Sequence, residues 1–116
     1  MTLLCHLDDV PPGTSRGFDP GQAGRDTLFA VRCGDGLRVY RDNCPHANSP
    51  MAWRKDAYLN HAGDAIVCFA HGALFDVDTG ACTLGPCLGQ SLQAVAHAID
   101  VQGYVRLIDT TYAAAD

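Results

Sequence analysis

Two short cysteine–histidine pairs constrain this chain more than anything else in it. Cys44-Pro45-His46 and Cys68-Phe69-Ala70-His71 each supply one thiol and one imidazole, with 21 residues between the pairs. Each pair stands beside a turn-former, Pro45 in the first and Gly72 after the second. Thiolate and imidazole are metal ligands, so this arrangement asks two loops to converge on one metal site. Chance pairing among six cysteines and five histidines is the plain alternative. It has to produce two such pairs, each in a loop beside an apolar run.

The rest of the chain reads as β. All 13 acidic residues are Asp, Glu is absent and Lys55 is the sole lysine. Strong helix formers other than Ala and Leu are therefore nearly missing, while Asp and the 12 glycines favour turns. Short apolar runs recur at Arg16–Phe18, Leu28–Cys33, Leu37–Arg41, Ala65–Phe69, Leu74–Val77 and Tyr104–Ile108. Gly34-Asp35-Gly36 and Gln102-Gly103 punctuate them as hairpin turns, and Asp76–Gly80 reads as a further turn. Leu92–Val101 fits a strand by alternation and a helix by its Ala content. Asn43–Asp64 has no period and reads as a long functional loop. The expectation is an all-β antiparallel sandwich, one domain spanning 1–116.

Three function classes recede on these grounds. A formal net charge of −5 leaves no basic footprint for nucleic acid. The start lacks a basic n-region with a long apolar segment, and no apolar run approaches a membrane span, so a cytoplasmic protein is expected. No Gly-rich dinucleotide fingerprint occurs.

In a reducing compartment, six cysteines point to metal or redox work before disulfides. Structural zinc also takes two cysteines and two histidines. Familiar zinc fingers, however, pair Cys with Cys and His with His, whereas here the order is Cys-His then Cys-His. In a Rieske [2Fe–2S] centre, two histidines replace two cysteines on one iron, and the interleaved pattern closely resembles the signature of that family. The resemblance extends to Cys68–Gly80, which looks like the second cluster loop and following strand, and to Gly85-Pro86, which looks like the covering proline loop. The opening Leu7-Asp-Asp-Val-Pro-Pro-Gly resembles the usual first strand and turn. It implies a Rieske-like fold with a cluster-binding subdomain over about residues 43–87. It also implies a [2Fe–2S] cluster held by Cys44 and Cys68 on one iron and His46 and His71 on the other.

Departures from the family pattern sharpen the expectation. The gap between the pairs is longer than usual, which places extra residues within Asp56–Asp64. Ser49 and Ala70 stand where high-potential relatives carry a disulfide. Ala73 and Phe75 stand where they carry hydroxyls that bond to sulfur. Fewer such bonds leave the reduced cluster less stabilised, so the resemblance implies a low potential that falls further as the oxidised-state histidines lose protons. Outside the ligand set, Trp53 is expected to anchor the enlarged loop, and Pro50, Met51 and Pro86 to form an apolar rim for a small electron-transfer interface. Cys82 and Cys87 flank the proline loop and are expected as thiols, although they could pair. Cys5 and Cys33 read as small buried hydrophobes. His6, His61 and His97 read as non-ligands, and Asp76 and Asp78 fit a turn at least as well as a docking patch.

The implied role is one-electron transfer rather than catalysis by the chain itself. Oxygenases of this superfamily add a second domain with mononuclear iron, which 116 residues cannot hold. The expected partners are a flavoprotein reductase and a terminal oxygenase. The other expectation is a place as small subunit beside the large subunit of an assimilatory nitrite reductase. The longer first loop weighs slightly against a standard dioxygenase ferredoxin. A zinc-stabilised interaction module is the remaining class.

Overall fold

The computed structural model describes residues 2–20, 22, 24, 26–33, 36–43, 58–60, 65–68, 72–85 and 88–108. Among these residues there is no α-helix. The strands are β1 (Thr2–His6), β2 (Ser15–Phe18), β3 (Leu28–Cys33), β4 (Gly36–Arg41), β5 (Ala65–Cys68), β6 (Ala73–Asp76), β7 (Cys82–Leu84), β8 (His97–Ile99) and β9 (Tyr104–Leu107). They form three antiparallel sheets in the orders β1-β9-β8, β2-β3-β4 and β5-β6-β7. The all-β expectation holds.

The alternation of β3 and β4 explains how the sheets stack. Leu28 to Val31 are all fully buried, which a strand with one wet face would not allow. Leu28 and Ala30 join Leu37 and Val39 of β4 in one core, with Cys5, Val95, Val105 and Leu107. Phe29 and Val31 join Tyr40 in the other, with Ile66, Cys68, Ala73, Phe75 and Leu92. The β2-β3-β4 sheet is therefore the middle layer. Its two faces serve the sheet of the chain ends and the sheet that carries Cys68.

Two local expectations change, and one strand is added. The first strand is Thr2–His6, and Leu7–Asp9 is a 3₁₀ turn. His6 sets this boundary: its Nδ1 accepts the Asp8 N–H at 3.0 Å, and its own N–H donates to the Asp9 carboxylate at 2.9 Å. These local bonds compete with continuation of the strand. Leu92–Val101 is neither one strand nor a helix. Leu92 fills one core and Val95 the other, so the chain crosses between layers there, and only His97–Ile99 pairs as a strand. Cys82–Leu84, too short to show a period, pairs with β6.

Folding also holds two acidic side chains neutral. Burial, reinforced by Asp9 and opposed by Arg16, pushes the Cys5 thiol from 9.0 up to about 11. Burial above all pushes the Tyr40 phenol from 10.0 up to about 12, and its hydroxyl donates to the Val77 carbonyl at 2.9 Å. The unfolded chain ionises both earlier, so this stability is fully present below the unfolded values and is lost as pH rises through the folded ones. The denaturant midpoint should be lower at about pH 10.5 than at about pH 8, with a smaller drop in Tyr40→Phe. Equal midpoints would contradict this.

Candidate metal centre

Of the four expected ligands, the described residues contain Cys68. It ends β5, is fully buried, and lies in the core with Tyr58, Ile66, Ala73 and Phe75. Its carbonyl accepts the Gly72 N–H at 2.8 Å, which turns the chain back so that Ala73 pairs with Cys68 across the hairpin. Gly85 arrives from the other side with φ +110, and a Cβ there would stand 2.9 Å from the Ala73 Cα. Only glycine allows that approach. The end of β5, the start of β6 and the start of the expected proline loop thus meet at one place. A cysteine sulfur held at the junction of three chain segments is the kind of donor that an iron–sulfur centre would use. The donor and its surroundings fit an iron–sulfur centre.

Cys44, His46 and His71 lie outside the described residues, as do Ser49, Pro50, Met51, Trp53, His61, Ala70, Pro86 and Cys87. Among the described residues no group of three or more potential metal ligands occurs. Ala73 and Phe75 are buried on β6, beside Cys68 and without hydroxyls, as expected. Asp76 is a turn residue, accepting the N–H groups of Asp78 and Thr79 at 2.7 and 3.1 Å. Asp78 pairs with Arg38 at 2.8 Å, fastening that turn to β4. Cys5 is buried and Cys33 half-buried, its thiol 3.6 Å from the Val77 carbonyl. The Cys82 thiol is buried and points to the Leu84 carbonyl at 3.4 Å. The His97 ring lies between the carbonyls of Val95 and Leu37, and His6 bonds the Gln102 carbonyl at 2.7 Å. Both are structural.

The sequence reading missed three features near this site. Residues 58–60, expected within an irregular loop, run antiparallel to β5: Leu59 bridges Ile66, and the Val67 N–H donates to the Tyr58 carbonyl at 2.9 Å. Tyr58 is buried, stacks on Phe29 with ring centroids 4.2 Å apart, and donates its hydroxyl to the buried Asp42 carboxylate at 2.8 Å. No spacing rule links an Asp and a Tyr so far apart in sequence. Leu84 and Leu88, 56% and 63% exposed, flank residues 86–87. They are exposed apolar side chains at positions that the sequence did not single out.

Known proteins resemble this chain in sequence and in fold. Ferredoxin CarAc of Metapseudomonas resinovorans is 32% identical over 84 residues, covering 72% of each protein. The solved ferredoxin of carbazole 1,9a-dioxygenase from Nocardioides aromaticivorans IC177 superposes with a TM-score of 0.68 at 28% identity over the whole of both chains. A ferredoxin solved in a complex of reduced oxygenase and oxidized ferredoxin in carbazole 1,9a-dioxygenase gives 0.67 at 24% identity, over 98% of this chain and 94% of its own. The family model of the Rieske [2Fe–2S] domain matches residues 1–105. The chain belongs to the Rieske [2Fe–2S] family.

Proposed function

We propose that this protein carries single electrons from a flavoprotein reductase to a terminal oxygenase in the cytoplasm. The observation that carries the reading is the buried Cys68 at the meeting of β5, β6 and Gly85, in a chain whose Rieske match spans residues 1–105. A [2Fe–2S] cluster would supply a one-electron couple. Cys44 and Cys68 would hold one iron, and His46 and His71 the other, within a cluster-binding region of about residues 43–87. Cys68 keeps its sulfur out of water. Gly85 lets the loop after β7 close on Ala73. Leu84 and Leu88 offer exposed apolar surface beside that loop, which suits the small, weak interfaces of electron transfer.

The relatives favour the oxygenase arm over a nitrite reductase subunit. Two of the solved chains are ferredoxins of carbazole 1,9a-dioxygenase, and the first superposes over its full length. The test is reconstitution: reduced pyridine nucleotide, a flavoprotein reductase and a Rieske oxygenase should turn over only when this protein is added. Recovery of a sirohaem reductase in its place as the stable partner would contradict the reading.

Ala73 and Phe75 bring no hydroxyl to the cluster sulfurs, so the midpoint potential should lie nearer about −150 mV than about +300 mV. Protein-film voltammetry checks this, and a midpoint well above zero would contradict it. Phe75→Tyr should shift the midpoint upward.

A further inference from the structure

The segment bearing Cys44 and His46 leaves the middle sheet after Asp42 and Asn43 and rejoins described structure at Tyr58. These two boundaries touch. The Tyr58 hydroxyl donates to Asp42 Oδ2 at 2.8 Å in the core, and Asp42 is the one buried charged side chain among the described residues. A buried carboxylate is costly unless hydrogen-bonded, and its bond to Tyr58 offsets part of that cost.

Three neighbours fix the pair in place. The Tyr58 ring lies flat on Phe29 of the middle sheet, with 6° between the planes. The Asp42 N–H donates to the Thr27 carbonyl at 2.9 Å, and the Tyr58 N–H to Ser15 Oγ at 3.3 Å. On β2, Gly17 leaves the space the polar group occupies: a Cβ there would stand 2.7 Å from the Tyr58 hydroxyl and would also collide with the Asp26 carboxylate. Tyr58 itself is paired with β5, whose last residue is Cys68. One hydrogen bond therefore joins the entry to the first ligand pair, its exit, and the strand that ends in the second pair.

We propose that Tyr58 and Asp42 are positioning residues for the cluster, their hydrogen bond tying the end of the middle sheet, just before Cys44 in sequence, to the strand that ends in Cys68. The inference rests on the ligand assignment above. Tyr58→Phe keeps the ring stack and removes only the hydroxyl. Asp42→Asn keeps an acceptor oxygen and serves as the conservative partner.

The experiment uses the cluster-loaded full chain and follows iron release to a chelator by the loss of visible absorbance. It also records the electron-spin g-values of the reduced protein and the thermal unfolding of the apoprotein. Tyr58→Phe should release iron about tenfold faster than the unaltered chain, with shifted g-values, and Asp42→Asn should lie close to the unaltered chain in both. Unchanged release and g-values in Tyr58→Phe, with only a lower unfolding temperature, would reduce the pair to a structural contact and overturn the proposal. Retention of the coloured centre in Cys44→Ala would instead overturn the ligand assignment, and the positioning role with it.

Discussion

Cys68→Ala should yield a folded but colourless protein that retains no iron. Cys68 is wholly enclosed, and the smaller side chain leaves no sulfur to bond the metal and no route for another ligand to replace it. Truncation costs the apoprotein little, because a small buried thiol behaves as a small hydrophobe, and Ala removes only its sulfur. The apoprotein should therefore still fold, with the loss confined to the metal and to the order that the metal adds. Iron analysis and visible absorbance measure this directly. His46→Ala should give the same result, whereas Cys82→Ala should keep the colour, because the Cys82 thiol points to the Leu84 carbonyl. A red-brown Cys68→Ala protein with full iron content would refute the assignment.

Phe29→Ala should have the largest effect on folding. Phe29 is fully buried in the middle sheet, stacked on Tyr58 and 5.8 Å from the Tyr40 ring centroid. Large-to-small replacement at such a site costs about 3–5 kcal/mol, against a total of roughly 5–15 kcal/mol for a domain. The neighbouring Leu28→Ala should cost about 2–5 kcal/mol, but it opens a cavity in the opposite core. The two variants separate stability from site support. Both should lower the denaturant midpoint, and only Phe29→Ala should also speed iron release below its unfolding range. A loss under about 1 kcal/mol in Phe29→Ala would contradict the layer assignment.

Much of this was legible in the chain because the signals are local. The Asp-rich, Glu-free composition and the punctuated apolar runs foretold antiparallel strands, and β3, β4 and β9 fall within a residue of their expected bounds at either end. The two Cys-His pairs carried the cofactor, since ligand type and spacing are sequence properties. What stayed hidden depends on tertiary contact. Leu28 to Val31 read as one apolar run, and only the stack of three sheets reveals two cores sorted by alternate residues. Leu92 and Val95 look like one face of one element until the chain is seen to pass between layers. The Tyr58–Asp42 bond links residues 16 positions apart in a space that Gly17 of β2 leaves open, and no periodicity encodes that. The 3₁₀ turn at Leu7–Asp9 was readable in principle from the Asp pair after His6, because His6 and Asp9 cap each other.

The central claim is a Rieske-type centre working as a one-electron carrier, and one measurement reaches it most directly. It combines metal and sulfide analysis of the purified protein with an electron-spin spectrum after reduction by dithionite. The expected result is two irons and two acid-labile sulfides per chain, with a rhombic signal that appears only on reduction. A colourless protein with one zinc per chain and no signal in either state would contradict it.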